Sequence, residues 1–65
     1  MKKIDNGFKD YYYLTEDAKV YNAKSNIYLK EYRNAYNLVK EDGTVKCISK
    51  KVLYEIVYNK VLCND

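Results

Sequence analysis

Apolar and aromatic side chains come in short runs along this chain, each ended by polar residues, until about residue 49. Beyond that point they return with a helical period. Residues 11–14 (YYYL), 19–22 (KVYN), 27–30 (IYLK), 35–40 (AYNLVK) and 45–48 (VKCI) hold the aromatic and β-branched types that favour strands. Residues 15–18 (TEDA) and 23–26 (AKSN) read as turns, and 31–34 (EYRN) is a link with no clear signal. Asp42-Gly43 is the strongest hairpin signal, and it predicts a type I′ turn with positive φ at both central residues. Residues 1–10 are polar and predict a loose N-terminal arm before one small domain over 11–65.

Neighbours in a strand point to opposite faces, so the three consecutive tyrosines cannot share a role. Tyr11 and Tyr13 are assigned to the core-facing side. Tyr12 takes the other face, where it has no structural duty. Ser49 suits a helix N-cap, because its hydroxyl can accept an orphan backbone N–H. The capping box is incomplete, since Val52 stands where Glu or Gln would complete it. Over residues 50–60 the spacing places Leu53, Ile56, Val57 and Lys60 on one stripe with Val52 at its flank. Tyr54 and Tyr58 form an i, i+4 pair on an adjoining face. Val61 and Leu62 either extend the helix or tuck back onto the sheet.

The turn segments echo each other. Leu14-Thr15-Glu16-Asp17-Ala18-Lys19-Val20 and Val39-Lys40-Glu41-Asp42-Gly43-Thr44-Val45 both read apolar, polar, Glu, Asp, small, polar, Val. Two similar hairpins follow. Ala18 stands where Gly43 stands, and a Cβ opposes left-handed geometry, so the first turn is expected to be wider or of another type. The predicted fold is α+β: a short antiparallel sheet of four to five strands with two hairpins, then one C-terminal helix packed on one face. Neither element can hide its apolar surface alone.

Composition narrows the function classes. The 65 residues hold 12 basic and 9 acidic side chains, a net charge of +3, which suits a polyanion partner. There is no histidine to act as an acid–base group near neutral pH, no nucleophile-elbow serine and no glycine-rich phosphate loop, so no enzymatic activity is expected. Two cysteines, Cys47 and Cys63, make neither a disulfide framework nor a zinc site, and reduced thiols are expected, with Cys47 packed in a strand. Glu16-Asp17 and Glu41-Asp42 sit in turns, where carboxylates cap backbone N–H groups, so no metal and no cofactor is expected. No stretch is apolar enough to span a membrane, and the N-terminus lacks a signal-peptide core. Cytoplasmic residence in a bacterial host is expected. Abundant Lys, Asn, Tyr and Ile, without Trp or Pro, point to an AT-rich source such as a phage or mobile element.

Nine of the 65 residues are tyrosine, more than a small core needs. Rings interleaved with Lys and Arg compose a stacking platform for single-stranded nucleic acid, and equally a protein interface. The candidate binding residues are Tyr12, Tyr28, Lys30, Tyr32 and Arg33, together with Lys46, Lys50 and Lys51 around the helix start. Cations there oppose the helix dipole, which an anion such as phosphate would relieve.

Tyr12–Leu14 with Asp17-Ala18-Lys19-Val20-Tyr21, then Tyr28-Leu29, then Asp42-Gly43, then the helix from Lys51 to Tyr58 follow an order of motifs that resembles the NUMOD-type modules of phage and homing-endonuclease proteins. That resemblance implies DNA binding beside a nuclease domain. Two departures separate the chain from it: no histidine serves an HNH nuclease, and Ser49-Lys50-Lys51 replaces the histidine–arginine helix start. By size and composition the chain is also similar to anti-CRISPR proteins. The leading expectation is therefore a phage or mobile-element accessory protein binding nucleic acid or a nucleoprotein, with no small-molecule substrate. The alternatives are an inhibitor of a Cas effector or its guide-RNA channel, and a structural protein that self-associates through a free sheet edge.

Overall fold

The computed structural model of the chain describes residues 1–60, and all its strands but the first fall where the apolar runs predict them. In order they are β1 (Lys2–Lys3), β2 (Tyr12–Leu14), β3 (Val20–Asn22), β4 (Ile27–Tyr28), β5 (Ala35–Val39) and β6 (Val45–Ser49), followed by helix α1 (Lys50–Tyr58). The fold is α+β. The strands divide between two antiparallel sheets, β1-β2-β3-β4 and β5-β6, where one sheet was expected. Cys63, Val61 and Leu62 lie outside the described residues.

The echoed segments make the same turn. Thr15 N–H donates to the Lys19 carbonyl (2.8 Å) and Ala18 N–H to the Thr15 carbonyl (3.0 Å). Lys40 N–H donates to the Thr44 carbonyl (2.7 Å) and Gly43 N–H to the Lys40 carbonyl (2.9 Å). Each is a three-residue loop closed by one left-handed residue, Ala18 (φ 65°) or Gly43 (φ 92°), so the expected type I′ geometry at Asp42-Gly43 does not form. The expectation of a different first turn also fails. Ala18 accepts the left-handed region, at about 1–2 kcal/mol, because its methyl is wholly buried and its carbonyl receives the Tyr36 hydroxyl at 3.3 Å. The two-residue turn with consecutive positive φ lies instead in the link that carried no signal, at Arg33 (52°) and Asn34 (59°). There Tyr32 and Ala35 exchange N–H to carbonyl bonds of 2.9 and 3.0 Å.

Hairpin register decides the faces of the larger sheet. The first turn pairs Leu14 with Val20, and both point inward and are fully buried. Tyr12 shares that face by alternation and is only 3% exposed, so the assignments of Tyr12 to the surface and Tyr13 to the core are reversed, while Tyr11 is partly buried against the core as expected. The physical reason is that Leu14 and Val20 cannot tolerate water as a tyrosine can. Tyr12 buries its ring and accepts the Val39 N–H at 3.1 Å, which ties the two sheets together.

The first ten residues are no loose arm. Ile4 is fully buried and Phe8 nearly so. Ile4 N–H donates to the Tyr12 carbonyl (3.0 Å), Lys9 N–H to the Val39 carbonyl (3.0 Å), and Gly7 accepts from Glu41 N–H (2.9 Å). The segment thus bridges both sheets.

The helix begins as its sequence suggests, with Ser49 Oγ accepting the Val52 N–H at 3.1 Å. Its buried face is Leu53, Tyr54 and Val57, while Ile56 is 43% exposed and Val52 is exposed. The expected stripe through Ile56 is therefore rotated toward Tyr54. Tyr58 sets the rotation: it stacks on Tyr54 with centroids 4.8 Å apart and donates its hydroxyl to the Leu14 carbonyl at 2.6 Å.

Leu53→Ala should cost about 2–5 kcal/mol in urea denaturation, whereas exposed Ile56→Ala should stay within roughly 0.5 kcal/mol. Equal losses would contradict the helix rotation. At the second turn, a Cβ on Gly43 meets nothing within 4 Å, so Gly43→Ala isolates the left-handed backbone cost. A loss of about 1–2 kcal/mol is expected by the same measurement.

Burial pushes the Tyr12 and Tyr36 hydroxyls above the usual tyrosine range. A folded pKa raised above the unfolded value stabilises fully below about pH 10, and that contribution is lost as pH rises through the higher folded value. Denaturation midpoints should therefore fall in alkali, and Tyr36→Phe should show a shallower decline than the parent chain.

Candidate functional site

The larger sheet has a second face, and the register writes a row across it. Lys3 pairs with Tyr13, Tyr13 with Tyr21, and Tyr21 with Tyr28. Residues directly opposite in antiparallel strands share a face, so Lys3, Tyr13, Tyr21 and Tyr28 form one line over all four strands. Leu14 and Val20 alternate with it and point to the core, so this line faces outward. Tyr13 and Tyr21 are half-buried and Tyr28 is 56% exposed.

Local hydrogen bonds fix the outer end of the row. The Asn22 carboxamide accepts the N–H groups of Lys24 (2.9 Å) and Ser25 (3.1 Å), which sets the β3–β4 turn. Asn26 follows in the left-handed region (φ 58°). Its carboxamide oxygen receives the Tyr21 hydroxyl at 2.7 Å. Tyr21 then holds Tyr28 in a tilted ring pair, with centroids 5.0 Å apart and planes at 58°. An exposed ring held by a neighbour loses little freedom on binding.

An open pocket of about 380 Å³ lies at the β2–β3 hairpin, lined by Thr15, Asp17, Lys19 and Tyr28. The Thr15 hydroxyl donates to Asp17, and Lys19 Nζ stands 3.7 Å from the other carboxylate oxygen. Hydrogen bonding from Thr15, then from the Asp17 backbone N–H, with the Lys19 charge beside them, holds the Asp17 carboxyl below the usual carboxylate range, so it is ionised at neutral pH. Asp42 is lowered in the same sense by the Thr44 hydroxyl and N–H. Among the described residues no group of three His, Cys, Asp or Glu is placed to hold a metal, and no helix is long and apolar enough to cross a membrane.

The eight residues singled out from the sequence do not form one surface. Tyr12 is in the core and leaves the set. Tyr28 joins the row, and Lys30 is exposed just after β4. Tyr32 and Arg33 sit together on the tight turn, with the guanidinium carbon 5.5 Å from the ring centroid. Lys46 is exposed on the smaller sheet, opposite Leu38. Lys50 Nζ pairs with Glu31 Oε1 at 3.3 Å, so this carboxylate answers the helix-start charge for which an anion was invoked. Lys51 is exposed on the first helical turn. Cys47 lies in a strand as expected but is exposed rather than packed.

Lys3, Tyr13, Lys19 and Tyr21 were missed. For Tyr13, Lys19 and Tyr21 the signal was present in the hairpin echo, since a closing pair at Thr15 and Lys19 forces Tyr13 opposite Tyr21, whereas Lys3 joins only through the pairing of β1 with β2. No protein-family model matches the chain, and searches of curated proteins and of solved structures found no match either.

Proposed function

We propose that this chain is a non-enzymatic accessory protein, of the kind carried by phages and mobile elements, that binds single-stranded nucleic acid or a nucleoprotein exposing one. The observation that carries the reading is the Lys3–Tyr13–Tyr21–Tyr28 row on the outward face of the larger sheet. Strands in a sheet lie about 4.8 Å apart, so three tyrosines offer roughly 10 Å of aromatic surface. That suits two or three unstacked bases. Stacking contributes about 1–3 kcal/mol per base without demanding a sequence. Lys3 at one end of the row supplies a cation for a phosphate, consistent with the net charge of +3.

A second reading, a protein-directed inhibitor of the anti-CRISPR type, is favoured by one feature. Tyr32 (64% exposed) and Arg33 project from a two-residue turn, and both residue types serve as anchors at protein interfaces. That turn belongs to neither face of the tyrosine row, so the two readings use different residues.

Fluorescence anisotropy with labelled single-stranded oligonucleotides separates them. Binding at low salt should weaken about tenfold between 50 and 200 mM salt if two or three phosphates are contacted. Tyr28→Ala should cost about 1–3 kcal/mol of affinity, the value of one stacked base, whereas Lys46→Ala and Tyr32→Ala should leave it unchanged. No affinity for any single strand at low salt removes the leading reading. Capture of a protein effector that depends on Tyr32 and Arg33 would then favour the second.

A further inference from the structure

The pocket at the β2–β3 hairpin has chemistry that base stacking does not use. It is lined by the exposed Tyr28, by Asp17 and Lys19, and by Thr15, whose hydroxyl donates to the Asp17 carboxylate. Its volume of about 380 Å³ falls in the range of small-ligand sites. A phosphate is disfavoured here, because the carboxylate would repel it. An uncharged planar group is not, since Tyr28 supplies a face to stack on and Asp17 and Lys19 supply an acceptor and a donor side by side.

We infer that this pocket reads guanine within the bound strand, with Tyr28 stacking on the base, Asp17 accepting from its N1–H and N2–H groups, and Lys19 donating to O6. This rests on the single-strand reading above. Guanine is the one common base whose Watson–Crick edge presents an acceptor followed by two adjacent donors. Adenine offers the carboxylate one donor, N6–H, and cytosine one, N4–H. Uracil and thymine offer N3–H between two carbonyl oxygens, one of which would face the carboxylate. An ionised carboxylate only accepts, and with about four lone-pair positions it can keep the Thr15 hydroxyl while receiving the base. The Asp17–Lys19 pair stands open to water, with side chains 67% and 63% exposed, so its weak mutual attraction is readily exchanged for the base edge.

The test uses short labelled oligothymidylates whose central base is thymine, guanine, adenine or cytosine, with a parallel uridine-based RNA series. Guanine should bind about tenfold tighter than the other three, the discrimination of one good bidentate contact. Asp17→Asn should abolish that preference while leaving the all-thymine strand bound equally or more tightly, because a negative charge has gone. Lys19→Met should lose part of the preference, and since it leaves the Thr15–Asp17 turn contact untouched it serves if Asp17→Asn disturbs the hairpin. The series showing the preference, DNA or RNA, identifies the source of the guanine. Equal affinity for all four bases overturns the inference and leaves the single-strand reading standing. A preference that survives both substitutions also overturns it. Failure of every oligonucleotide to bind removes both together.

Discussion

Three tyrosine hydroxyls hold the layers of this domain together. Tyr12 accepts the Val39 N–H, joining the larger sheet to the smaller. Tyr36 donates to the Ala18 carbonyl, joining the smaller sheet back to the first hairpin. Tyr58 donates to the Leu14 carbonyl, joining the helix to the larger sheet. Each ring supplies apolar bulk and carries its hydroxyl to a backbone group of another layer, a bond worth about 1 kcal/mol net. Among the described residues no buried side-chain nitrogen or oxygen lacks a partner. A domain this small buries only about 60% of its unfolded surface, and side chains that are apolar along their length and polar at the tip serve both needs at once.

That use of tyrosine separates structural rings from available ones. Tyr12, Tyr36 and Tyr54 are buried, and Tyr58 is committed through its hydroxyl. The outward row of Tyr13, Tyr21 and Tyr28 holds no layer together. Asn26 and Asn22 nevertheless fix its outer end, although neither contributes to the core. This aromatic surface is thus ordered without being needed to close the core.

Much of the local structure was legible because local chemistry determines it. The Ser49 cap, the left-handed residue at Gly43 and the kinship of the two hairpins all follow from a few neighbouring residues. The choice of faces was not legible. Tyr11, Tyr12 and Tyr13 are chemically identical, so only the pairing of Leu14 with Val20 could say which ring goes inward. Ile56 is more apolar than Tyr54, yet the helix rotates toward Tyr54 because Tyr58 must reach Leu14. Ile4 and Phe8 stand alone among polar residues, and their burial depends on partners far along the chain. The site suffered most from this, since its members share a surface only through cross-strand register.

The Tyr58–Leu14 bond spans 44 positions of sequence and the Tyr12–Val39 bond 27. During synthesis, then, the first hairpin can form early, but its inward face stays wet until the helix has left the ribosome. The aromatic row is assembled on that same hairpin. Emerging chains would carry tyrosines on both faces of an unfinished sheet, one set waiting for the helix and the other staying in water. Arrival of the last helical turn decides which set is withdrawn, and the protein acquires a distinct inside and outside only once Tyr58 has reached Leu14.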